Sequence, residues 1–178
     1  MKAPAIPASA YLLNLNLNYE NLLFSDAKVQ KINDIRKKNC KKMNKLHFVK
    51  IPIYHTHLYV FFGDKEECVK SLQKAKKGKI KQSSLDTTLG TMGDARGCFI
   101  QSITDYYNLL WMPILPNTID EFATLIHEIA HATFYILDNA GLIHTKDSDE
   151  AYAYLQAFIF SEVDVIINKI KDKEYTTK

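Results

Sequence analysis

The strongest constraint on this chain lies in its last third, where two long stretches carry helical punctuation and leave little freedom in how they fold. Pro113 and Pro116 end an apolar run, and Thr118 then stands three residues before Glu121 in a capping-box pattern, with Asp120 and Glu121 at the positive end of the helix dipole. Apolar residues recur at helical spacing to about Asn139, and Gly141 supplies the left-handed residue that helices favour past their C-terminus. Asp147-Ser148-Asp149-Glu150 opens a second helix to about Lys169, expected to enter the core through Leu155, Phe158, Ile159 and Val163. A helix over 119–139 therefore precedes a short turn and a second helix.

Upstream, residues 48–62 are dense in β-branched and aromatic residues and stop at Gly63-Asp64, which predicts a strand. Residues 65–77 place Cys68, Val69, Leu72 and Ala75 on one helical face, with Gly78 as the stop. The Ser, Thr, Gly and Asp content of 79–96 predicts a loop, and the apolar runs 97–103 and 107–112 predict a β-hairpin. The fold class expected is α+β: a small mixed or antiparallel sheet with two helices after it. Residues 1–46 carry nine Lys/Arg against three Asp/Glu and read as a basic N-terminal accessory arm, and residues 47–178 read as the folded domain.

Composition excludes several classes. A formal net charge of +3 in 178 residues lacks the basic bias of a nucleic-acid binder. No run approaches the ~18 apolar residues of a membrane span, so no membrane partner is expected. Cys40, Cys68 and Cys98 are odd in number and lack C-x-x-C spacing, which argues against a disulfide framework and for a reducing, cytoplasmic setting. Asn14, Asn16 and Asn18 interrupt the apolar region a secretory signal needs. Oligomeric state is not legible.

The chemistry concentrates in His127-Glu128-Ile129-Ala130-His131, an H-E-x-x-H inside the capped helix. Histidines four apart stand one turn above each other, so both imidazoles reach one ion from one face. Zinc suits neutral imidazole, and three protein ligands leave a fourth position for a water whose pKa falls toward ~7. Glu128 is then the general base. The bland alternative is a pair of ordinary polar residues on a helix face. The metzincin pattern requires Gly and His where this chain has Phe134 and Leu137, so the third ligand is sought on the next helix. Glu150, 19 residues after His131, is the candidate, with Asp149 or Asp147 as fallback carboxylates; Glu150 also fits a capping box begun by Asp147.

On His127, Glu128, His131, Glu150 and Ala153 the chain resembles the gluzincin metallopeptidases, whose next helix supplies Glu within E-x-x-A or E-x-x-S. The resemblance spans at most residues 97–165 and implies a zincin-like domain, one Zn2+ per chain and hydrolysis of peptide bonds in a peptide or protein substrate. The short domain also looks like the small metallopeptidase-like proteins of phages and mobile elements. Larger gluzincins often have Asp four residues after the ligand Glu, where this chain has Tyr154, whose phenol is then a candidate partner for His127. Tyr154, Tyr152 and His144 are candidate oxyanion donors. The alternative function is a non-catalytic zincin-derived zinc-binding or interaction protein.

Two minor features complete the set. His55-Thr56-His57 on a strand would put two imidazoles on one face, and Arg96 before the hairpin is a candidate for a substrate carboxylate. One strand of that hairpin is expected to be a sheet edge that receives extended substrate.

Overall fold

A computed structural model describes residues 45–175. The expected accessory arm, apart from its last two residues, lies outside them. The elements in order are β1 (His47–Ile51), a 3-10 turn (Pro52–Tyr54), β2 (Thr56–Phe62), α1 (Lys65–Ala75), α2 (Gln82–Met92), β3 (Cys98–Ser102), β4 (Tyr107–Met112), α3 (Ile119–Asn139) and α4 (Asp149–Tyr175). The fold is α+β, with a mixed sheet of order β1-β2-β4-β3 in which β2 and β4 are parallel and the outer pairs antiparallel.

Helices cover both faces of the sheet. On one face Val49, Leu58, Val60, Leu110 and Met112 pack with Leu125, Ile129 and Ile136 of α3 and with Leu155, Ile159 and Val163 of α4. On the other, Tyr59, Phe61, Leu109 and Trp111 meet Cys68 and Leu72 of α1 and Leu85 and Met92 of α2. The inner strands β2 and β4 are therefore buried almost throughout, which is why their sequences read as continuous apolar runs without alternation. No helix among the described residues is long and apolar enough to cross a membrane.

Three expectations need correction. Residues 48–62 form two antiparallel strands and not one, because Pro52 removes a ladder donor and His55 adopts φ 49°, turning the chain back. His55 thus lies outside β2, so it does not share a strand face with His57. The loop expected over 79–96 contains α2: Leu85, Leu89 and Met92 recur at helical spacing, and Thr87, Thr88 and Thr91 return their hydroxyls to the carbonyls four residues back. Phe158 is not in the core; it lies 38 % exposed beside the 3-10 turn.

α3 has the bounds its punctuation predicts. Thr118 Oγ1 accepts from Glu121 N at 3.3 Å, and Glu121 Oε2 accepts from Asn117 N at 2.7 Å and Thr118 N at 2.9 Å. Those backbone bonds, that from Asn117 foremost, hold the Glu121 carboxyl below the usual range. At the far end Gly141 takes φ 79° and its N–H bonds Asp138 O. α4 runs back along α3: Tyr152 touches Phe134, Phe160 shares a pocket with Ile126, and the Lys171 ammonium sits 5.6 Å from the Phe122 ring centre.

Candidate active site

The orientation of the site follows from the core stripe of α3. Leu125, Ile129, Ala132 and Ile136 face the sheet, and at 100° per residue this turns His127 and His131 to the opposite, exposed side. Glu128 falls between the two faces, on the flank next to β3.

His127 and His131 converge. Their Nε2 atoms lie 3.0 Å apart, with ring centroids at 4.6 Å and planes at 85°. Two nitrogens bound to one tetrahedral zinc at ~2.05 Å each would stand about 3.3 Å apart. A few tenths of an ångström separate that geometry from the one observed, so the pair fits a shared cation; without one, either ring donates its N–H to the other.

Glu128 is the only charged residue buried among the described residues, at 8 % exposed. A glutamate is rarely buried without a partner, and here Oε2 accepts the backbone N–H of Phe99 at 2.7 Å. Phe99 belongs to β3, whose only strand neighbour among the described residues is β4, so among them β3 is the sheet edge and β4 is internal. The expected edge strand is therefore the first of the two candidates. Turning its N–H away from β4 toward Glu128, Phe99 ties the edge to the helix. Side chains and outward amides repeat every second residue, so Gln101 presents its backbone at the same edge. The close approach depends on Gly97: a Cβ there would meet Thr124 Cγ2 at 3.0 Å, Met112 Cγ at 3.3 Å and Glu128 Cγ at 3.4 Å. Beside Glu128, burial and then that carboxylate's charge push the Cys98 thiol up to about 12, so it is a neutral thiol at pH 7.

The remaining candidates disperse. Glu150 is exposed in the first turn of α4, and no group of three His, Cys, Asp or Glu side chains closes on one point among the described residues. Asp149 shares that turn and Asp147 precedes it, both exposed. Tyr154, 73 % exposed, lines a pocket with Ile53, Tyr54 and Phe158 on the flank of α4 away from α3, so it is not placed as a partner of His127. Tyr152 is buried and donates its hydroxyl to Leu142 O at 2.9 Å. His144 packs on Tyr152 and Phe134, at 4.6 and 5.4 Å between ring centres, one turn beyond His131. Arg96 is exposed near Trp111 and Pro113, where its charge reaches Glu121 at the start of α3.

Sequence reasoning missed the Phe99 amide and Gly97. A glycine directly before a predicted edge strand was the available signal, but a main-chain donor has no side-chain signature. No known protein family, characterised protein or solved structure matches this chain.

Proposed function

We propose that the chain is a zinc-dependent peptidase in which His127 and His131 hold the metal, Glu150 completes the ligand set and Glu128 is the general base. The observation that carries this reading is the 3.0 Å convergence of the two imidazoles beside a buried carboxylate. When bound, zinc polarises the scissile carbonyl and acidifies the attacking water. Glu128 takes the proton of that water and returns it to the leaving amine, while the Phe99 N–H restricts its carboxylate to one orientation. The β3 edge binds extended substrate: the Phe99 amide is engaged by Glu128, and the outward Phe99 carbonyl and Gln101 amide remain for main-chain pairing.

A non-catalytic zinc-binding or interaction protein is the second reading. It is favoured by the placement of Tyr154, which leaves the oxyanion without the phenol the sequence suggested. Peptide-library cleavage by zinc-loaded protein, with and without chelator and with Glu128→Gln as control, separates the two. Chelator-sensitive cleavage lost in Glu128→Gln supports the peptidase. Stoichiometric zinc with no cleavage leaves the second reading, and cleavage that survives chelation refutes the first.

A further inference from the structure

We infer that the pocket one turn beyond His131 is a subsite for a positively charged side chain, arginine or lysine. That the side chain belongs to a peptide substrate rests on the peptidase reading above; the cation preference rests on the pocket alone. Its volume is about 300 Å³, and Phe134, Tyr135, Asp138, Ile143, His144 and Tyr152 line it. This is the lower end of ligand-pocket sizes and suits one side chain better than a cofactor.

The walls are aromatic and mutually tilted. Phe134 and Tyr152 lie 4.9 Å apart at 53°, and His144 meets Tyr152 at 89°. Tyr135 leans on Phe99 of the edge strand at 5.6 Å, so the pocket adjoins the strand that carries the Glu128 contact. Ring faces carry negative quadrupole potential and attract cations within about 6 Å. The one carboxylate in the lining is Asp138, and no cationic side chain pairs with it among the described residues. The following loop and turn add Asp147, Asp149 and Glu150 against Lys146. An anion is repelled there, and a neutral side chain would fill the rings but leave Asp138 without a counter-charge.

Position matters as well. Phe134 and Tyr135 follow His131 by three and four residues, about 4.5–6 Å along the helix axis. An extended peptide advances about 3.3 Å per residue, so the charged residue would sit one or two positions from the scissile bond.

The test uses the full chain at pH 8. N-acetyl-arginine methylamide and its neutral citrulline counterpart are titrated by calorimetry into wild type, Asp138→Asn and Phe134→Leu. The arginine probe should bind about five-fold tighter than citrulline to wild type, and each variant should lower that preference about two- to five-fold. Equal affinity of the two probes for wild type, or an unchanged preference in Asp138→Asn, overturns the inference. In the peptide library, wild type should favour basic residues at one position, and Asp138→Asn should lose that preference. Arginine-selective binding without any cleavage keeps the pocket and sinks the peptidase reading; cleavage indifferent to charge does the reverse.

Discussion

Glu128 has one task in the fold and a second in the proposed reaction, and replacing it should reveal both. Its carboxylate accepts a 2.7 Å bond from the Phe99 amide, and the residue is 8 % exposed. A bond to a charged acceptor contributes about 1.5–3 kcal/mol, and a neutral one about 0.5–1.5. Glu128→Gln keeps an oxygen for Phe99 but loses the charge, a cost of about 1 kcal/mol, whereas Glu128→Ala loses the bond altogether, a cost of about 2 kcal/mol. For a chain of this size that lowers Tm by about 2–4 °C for Gln and about 4–8 °C for Ala. The measurement is thermal unfolding of metal-free protein, so that altered metal binding does not enter. Amide exchange supplies a local reading: Phe99 should exchange about ten-fold faster in the Ala variant. On the proposed mechanism turnover behaves differently, since both variants would lose the base and with it about 10²–10⁴ in rate. An Ala variant with wild-type Tm and a protected Phe99 amide would refute the bond between edge strand and base; a Gln variant with wild-type turnover would refute the base.

Two further substitutions test the surroundings. Gly97→Ala places a methyl 3.0 Å from Thr124 Cγ2 and 3.4 Å from Glu128 Cγ, so it should cost about 1–3 kcal/mol in denaturant unfolding and reduce turnover in step with loss of Phe99 protection; a fully stable, fully active variant counts against the close approach. His57 stacks on Phe48 at 4.9 Å and has its Nε2 buried without a partner among the described residues, and burial, followed by the charge of Lys76, lowers its pKa below 6.5. A base held neutral in the fold contributes stability that is complete above the unfolded pKa and is lost as pH falls below it. His57→Phe should therefore gain on wild type, and gain more at pH 5 than at pH 8, as read from urea midpoints; an advantage independent of pH would show that His57 does not titrate as its burial requires.

Local chemistry decided what was legible. The bounds of α3 were readable because Thr118, Glu121 and Gly141 each satisfy a backbone group through a recognisable residue. The pairing of His127 and His131 was readable because helical spacing alone puts them on one face. The turn at Pro52–His55 was hidden by apolar residues on both sides that read as one strand. In α2, Ser and Thr suggested a loop, yet packing of Leu85 and Met92 under the sheet overrode their weak propensity. Tyr154 shows the limit of spacing arguments: four residues after Glu150 is one turn on, but the rotation of α4 about its axis was set by Leu155, Ile159 and Val163 entering the core, and that rotation carries Tyr154 to the flank away from α3.

The same rotation bears on Glu150, whose role as third ligand is the part of the proposal most exposed to test. It lies two residues before Tyr152, whose ring touches Phe134, itself three residues after His131. In antiparallel packing residues before Tyr152 lie opposite residues after Phe134, so Glu150 stands further along α3 than His131, and its carboxylate is in solvent. Drawing one glutamate out of solvent costs up to about 2 kcal/mol of rotamer entropy, against metal-binding free energies of about 10–16 kcal/mol in structural zinc sites. Metal binding can meet that cost, and ligation by Glu150, as proposed, then requires the first turn of α4 to move toward the two imidazoles. Glu150→Gln should weaken zinc binding at least about ten-fold, about 1.4 kcal/mol, in competition with a chromophoric chelator, whereas Asp149→Asn and Asp147→Asn should leave it unchanged. Should Glu150→Gln hold zinc as tightly as wild type while His131→Ala does not, the third position is filled from elsewhere and the resemblance to gluzincins ends at the H-E-x-x-H.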